Sequence, residues 1–153
     1  MRVLIVYDTV SPMRLTEKVA EAVGGVLKEE GIEVGSFFVK DVDKAAIKNY
    51  DCVLVGAPTM AFRASSGIMR FLNGLSGDFS GKSAAAFDTQ VQWRMSGSAA
   101  KGIEGKLKKL SFKLVTAPLI TYVEGKKDEM RLKDGELEKA KNWAKTIAQA
   151  LTK

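Results

Sequence analysis

Short apolar runs alternate with longer stretches whose apolar residues recur at helical spacing, and this alternation repeats along the whole chain. Residues 2–7 are apolar after Arg2 and rich in β-branched side chains, the pattern of a strand buried on both faces. A short loop from Asp8 to about Ser11 follows. Leu15, Val19, Ala22, Val23, Val26 and Leu27 then fall on one helical face, which predicts a helix running to about Glu30. Gly31 is placed to stop it. Ile32 to Val39 predicts a second strand, and Asp41-Val42-Asp43 opens a short helix to about Lys48.

The pattern then repeats. Asp51 to Gly56 predicts a third buried strand, with Ala57-Pro58-Thr59-Met60 leaving it as a loop. Ile68, Phe71, Leu72 and Leu75 form the core face of the next helix. Ser83 to Phe87 is a fourth strand that ends at Asp88, and a polar loop runs on to Gly97. Ala100, Ile103, Leu107 and Leu110 mark another helix. Phe112–Val115 and Leu119–Val123 read as one strand interrupted at Ala117-Pro118, because proline cannot donate to a ladder. Leu137, Ala140, Ala144, Ile147, Ala148 and Leu151 give the last helix. Five βα units with buried strands predict one α/β domain over 1–153: a parallel sheet covered by helices on both faces. Ligands of such sheets bind beyond the carboxyl ends of the strands, where strand order switches. That directs attention to the loops after strands one, three and four.

Composition narrows the chemistry. The 153 residues include no histidine, which removes His-ligated metal sites and the commonest general base. Any redox chemistry therefore falls to a cofactor. The single cysteine, Cys52, lies in an apolar run and reads as an inert strand residue. No apolar run approaches the roughly 20 residues of a membrane span, and Val3–Tyr7 is too short for a signal-peptide core; a cytoplasmic protein is expected. The net charge is +6. Lysines are spread among acids, which reads as a mixed solvated surface; the sharper reading is docking of an acidic partner. No nucleic-acid recognition motif is present.

The loop from Asp8 to Glu17 joins a buried strand to a helix start, so its backbone N–H groups and the helix dipole suit an anion. Thr9, Ser11 and Thr16 add hydroxyls, and Arg14 a cation. The alternative is capping, with Ser11 as N-cap and Pro12 at the first helical position; the residues alone leave both open. There is no G-x-G-x-x-G and no G-x-x-x-x-G-K-[ST], which argues against a dinucleotide fold of that type and a P-loop. A phospho-receiver needs an acidic pair after strand one and an Asp ending strand three. Here Asp8 is alone and Asp51 begins strand three. In the second loop, Met60 and Phe62 are able to cover a ring face, and Arg63 to meet an anion or a substrate; plain packing over the sheet end is the alternative. In the third, Trp93 is the best stacking candidate, Ser96-Gly97-Ser98 is expected to cap the next helix, and Trp143 to be packing.

With these residues in view, the sequence resembles the flavodoxin family, in its short-chain form. Tyr7-Asp8-Thr9 followed by Thr16-Glu17-Lys18-Val19-Ala20 is similar to that family's phosphate loop and trailing helix. Gly56-Ala57-Pro58-Thr59 resembles its strand-three exit, and Gly81–Phe87 its fourth strand. The resemblance covers essentially the whole chain and implies a five-stranded sheet in the order 2-1-3-4-5 with bound FMN. It implies that Thr9, Ser11 and Thr16 hold the phosphate, within a segment that includes Met13, Arg14 and Leu15. It implies that Pro58, Thr59, Met60 and Phe62, with Asp88, Thr89, Gln90 and Trp93, surround the ring. The first loop departs from the family pattern: it is two residues longer and lacks the central glycine. A helix beginning at Pro12 would carry Thr16 into its second turn, away from the phosphate. The function implied is electron transfer with a redox partner protein, an acidic one if net charge guides docking, by a monomer or weak dimer. The alternatives are an FMN-dependent NAD(P)H:quinone-type reductase, in which Arg63 and Arg94 hold a dinucleotide phosphate, and an interaction module with weak or no FMN binding.

Overall fold

The computed structural model describes residues 1–10, 12–60, 63–92, 97–126 and 128–152. Its sheet runs through β1 (Arg2–Tyr7), β2 (Glu33–Phe38), β3 (Cys52–Met60), β5 (Ser83–Val91) and β7 (Leu119–Glu124), all parallel, in the order β2-β1-β3-β5-β7. That is the predicted 2-1-3-4-5. The interrupted fifth strand is two pieces: β6 (Lys113–Leu114) pairs with the start of β5, and β7 with its end. Two further two-residue strands are antiparallel. β4 (Arg63–Ala64) folds back on β3, and β8 (Arg131–Leu132) pairs with β7 at the sheet edge. Among the described residues eight strands therefore stand where five were predicted: the fifth is split in two, and the two short antiparallel strands carry too few residues for a period to show.

The strands' alternation sorts the core into two layers. Val3, Ile5, Cys52, Leu54, Ala85 and Phe87 face α1 (Leu15–Glu29) and α4 (Glu136–Leu151). Leu4, Val6, Val53, Val55, Ala84 and Ala86 face α2 (Ser66–Asn73) and α3 (Ala99–Lys109). Cys52 is wholly buried, and burial pushes its thiol up to about 12, the inert strand residue expected. Trp143 is packing: its ring meets Phe87 edge-on and its indole N–H donates to the Ala117 carbonyl at 2.9 Å. Gly56 makes room for that arrangement, since a Cβ there would lie 2.0 Å from the Phe87 ring. Gly31, at φ +81°, follows the end of α1 as predicted.

Four boundaries differ from the sequence pattern. The helix expected from Asp41 is two 3-10 turns, Val39–Asp41 and Lys44–Asn49. Helix α1 begins at Leu15, after Arg14 in the left-handed region at φ 52°, so Pro12 is not its first residue and Thr16 lies in its first turn. Strand β3 continues through Pro58, Thr59 and Met60, and β5 through Asp88 to Val91. Apolar periodicity stops at Gly56 and Phe87, but the backbone pairing does not: Pro58 lies opposite Thr89, and Val91 opposite Val123. Polar side chains end an apolar pattern without ending a strand when other elements satisfy them.

Candidate functional site

Because β3 and β5 run past the apolar core, and Asp8 directly follows β1, the strands' alternation aims polar side chains at the helices above. Residues at the carboxyl ends keep the face their register assigns. Asp8 continues Leu4 and Val6 toward α2, and accepts from the Ser65 hydroxyl at 2.6 Å. Thr89 continues Ala85 and Phe87 toward α1, where its hydroxyl and that of Thr16 are 2.8 Å apart. Asp88 continues Ala84 and Ala86 toward α3. Its Oδ2 accepts from the Ser98 hydroxyl at 2.8 Å, the Gln90 amide at 3.1 Å and the Ala100 N–H at 3.2 Å. The Thr59 hydroxyl donates to the same oxygen at 3.5 Å while accepting from the Ala99 N–H at 3.0 Å.

The start of α3 is consequently consumed. Ser98 caps it by accepting from the Lys101 N–H, as expected for this serine, and Asp88 and Thr59 take the N–H groups of Ala100 and Ala99. At the start of α1 the N-cap residue is Arg14, whose side chain makes no capping bond, and no side-chain cap is found there among the described residues. Arg14 instead pairs with Glu17, whose other oxygen takes the Tyr7 hydroxyl at 2.9 Å. That arrangement holds Glu17 below its ordinary carboxylate range, chiefly through the Arg14 hydrogen bond. Burial and the Glu17 bond raise Tyr7. Burial raises Asp88, which is wholly inaccessible and has no charged partner among the described residues.

Two cavities meet at Val10, which is 55% exposed. One, of about 110 Å³, is lined by Thr9, Leu15, Thr16, Pro58, Thr59, Thr89 and Gln90, with Val91, Val123 and Met130. The other, of about 430 Å³, is lined by Met60, Arg63, Ala64, Ser65, Ser66 and Met69. Together they form a cleft across the carboxyl ends of β1, β3 and β5, within the size range of small-molecule sites, roughly 300–1,000 Å³. A larger depression of about 890 Å³ lies on the β2 side of the first loop, lined by Thr9, Val10 and Pro12 with Arg14, Phe37 and Asp41.

The flavodoxin family model matches residues 10–143. The chain belongs to the flavodoxin family. No curated protein sequence matches the chain. Among solved structures the fold is similar to flavodoxin 1 from Bacillus cereus, at 20% identity and a TM-score of 0.82, with 97% of this chain and 98% of that one covered. It is similar to a flavodoxin from the domain Archaea, at 20% identity and a TM-score of 0.80 over 100% of both chains. It is also similar to rubredoxin oxygen:oxidoreductase from Desulfovibrio gigas, at 24% identity and a TM-score of 0.80; there 99% of this chain covers 36% of that one. None of the helices among the described residues is long and apolar enough to cross a membrane.

Against the flavodoxin pattern, the structure gathers seven of the residues singled out from the sequence around the smaller cavity: Thr9, Leu15, Thr16, Pro58, Thr59, Thr89 and Gln90. Met60 is 45% exposed at the larger one. Arg14 is exposed and faces the depression on the β2 side, and Met13 is half-buried in the loop between. Asp88 lines neither cavity; it meets the cleft through Thr59 and Gln90. Ser11, Phe62, Trp93 and Arg94 lie outside the described residues. Sequence reasoning missed Val10 at the junction, and Ser65, whose partner Asp8 is 57 positions away. Val10 carried a usable signal, an apolar residue within an otherwise polar loop; Ser65 carried none.

Proposed function

We propose that this chain binds FMN across the cleft and carries electrons to an acidic partner protein. The observation that carries the reading is the start of α1: a helix of 15 residues whose first-turn N–H groups have no side-chain cap among the described residues, beside Thr9 and Thr16 and facing the family's ligand-binding end of the sheet. The residues fit the cofactor. An uncapped helix start with a threonine hydroxyl at hand suits a phosphate dianion, and Met60 and Val10 offer apolar cover to a planar ring. Thr59, Thr89 and Gln90 offer polar groups to its edge.

Bound FMN would supply one- and two-electron transfer. The protein's own part is position and field. Thr9 and the α1 amides would hold the phosphate, Thr59 and Gln90 the polar edge of the ring, and Met60 would exclude water from its face. A net charge of +6 favours encounter with an acidic protein and makes that encounter weaken with salt. A second reading, an FMN-dependent NAD(P)H:quinone-type reductase, draws on Arg63, which is exposed at the larger cavity and in no ion pair among the described residues.

The test is a titration of cofactor-stripped protein with FMN and with riboflavin, followed by flavin fluorescence. Tight binding of FMN with much weaker binding of riboflavin is expected. Binding of neither would overturn both redox readings and leave an interaction module. Steady-state oxidation of NAD(P)H with a quinone acceptor would move the assignment from carrier to reductase.

A further inference from the structure

Asp88 is a wholly buried carboxyl group with a lopsided environment. Oδ2 receives four donors, from Ser98, Gln90, Ala100 and Thr59, while Oδ1 is buried with no hydrogen-bond partner among the described residues. The elements packed around it present Thr59 from β3, Gln90 from β5, Ser98 and Ala100 from α3, and Thr121 from β7, whose hydroxyl donates to the Asp88 carbonyl at 2.7 Å. None of these is charged. A buried carboxyl group without a counter-ion is costly, and a core residue there would need none of it. What Asp88 does instead is join three parts, with Thr59 as its partner in the same junction: the end of β3, the end of β5 and the first turn of α3. Two of its partners, Thr59 and Gln90, line the cleft.

We propose that Asp88 is the positioning residue of this site: through one buried oxygen it fixes Thr59, Gln90 and the start of α3 together, and so sets the spacing between the second and third loops of the cleft. The proposal rests on the flavin reading for its ligand but not for its clamp. Asp88 touches no ligand itself; it acts through Thr59 and Gln90. It acts at the ring end of the cleft and not at the α1 end, so its removal weakens FMN and riboflavin alike.

The experiment compares Asp88→Ala, Asp88→Asn and Ser98→Ala with the parent chain. FMN and riboflavin affinities are measured, along with the visible circular dichroism of the bound flavin and amide hydrogen exchange of the flavin-free proteins. Asp88→Ala is expected to weaken both ligands about tenfold with their ratio preserved and to change the visible dichroism. Asn keeps an acceptor for the four donors, so Asp88→Asn is expected to stay within about threefold of the parent. Ser98→Ala removes one donor from outside the cleft and keeps the proposal testable if Asp88→Ala does not fold; a loss of about threefold in both ligands is expected. A loss confined to FMN, or unchanged affinity with unchanged dichroism in Asp88→Ala, would overturn the assignment. A parent chain that binds neither flavin would sink the flavin reading instead. The clamp is then still decided by exchange at Ala99 and Ala100, which must accelerate in Asp88→Ala and Ser98→Ala; unchanged exchange there overturns it.

Discussion

Helices α1 and α3 start at the same carboxyl end of the same sheet, yet among the described residues one start is capped by side chains and the other is not. At α3 the amides of Ala99, Ala100 and Lys101 are taken by Thr59, Asp88 and Ser98. At α1 the chain enters through Arg14 in a left-handed conformation, with no side-chain cap among the described residues. The titratable groups beside them follow suit. Glu17, paired at the surface with Arg14, is held low, and Asp88, sealed in against α3, is pushed high. The contrast teaches that a helix start is left available to a ligand only where neighbouring side chains do not take its amides. Both have the same dipole, and what separates them is whether neighbouring strands bring up acceptors.

The contrast is broken most directly by closing α1. Arg14→Asp places a carboxylate at the open start, where it caps the amides and repels a phosphate. FMN affinity is expected to fall about 100-fold while riboflavin stays within about twofold, measured by fluorescence titration. Equal losses for the two ligands would mean that α1 does not hold the phosphate. Opening α3 has a smaller effect of a different kind. Ser98→Ala is expected to cost about 1 kcal/mol of stability in urea unfolding, the usual value of a lost N-cap, and to leave the FMN-to-riboflavin ratio unchanged.

The pH dependence is the smallest effect and has opposite signs at the two helices. Asp88 is raised in the folded state, so the folded protein binds the extra proton between the ordinary value of 3.8 and its own. Its contribution to stability is therefore lost as pH rises through that window. Glu17 is lowered, so its contribution is present above the ordinary value of 4.5 and is lost as pH falls through its depressed value. Urea midpoints across pH for the parent, Asp88→Asn and Glu17→Gln should show the parent declining relative to Asp88→Asn on the rising side. Relative to Glu17→Gln it should decline on the falling side. Parallel curves would remove the electrostatic half of the comparison.

The fold was legible because its signals are local and repeated. Buried runs such as Val3–Val6 and helical faces such as Leu15 to Leu27 each declare themselves within one element. The positions of Thr9, Thr16, Thr59, Thr89 and Gln90 around one cavity followed from strand order and from the resemblance. What the sequence hid was where strands end. Thr59 and Asp88 read as loop because they are polar, but each is satisfied by a residue on another element, 29 to 40 positions away in the Thr59–Asp88 and Thr59–Ala99 pairs. The division of labour between α1 and α3 was hidden for the same reason: it is decided by what packs over each helix start.

The bond between Thr16 and Thr89 spans 73 positions and crosses above β3. It cannot form until β1, β3 and β5 lie side by side, and a parallel sheet assembles through slow, non-local closures of this sort. The cleft is thus a late product of folding. A cofactor bound there, as proposed, would meet only chains that have finished, and by mass action would hold them in that state.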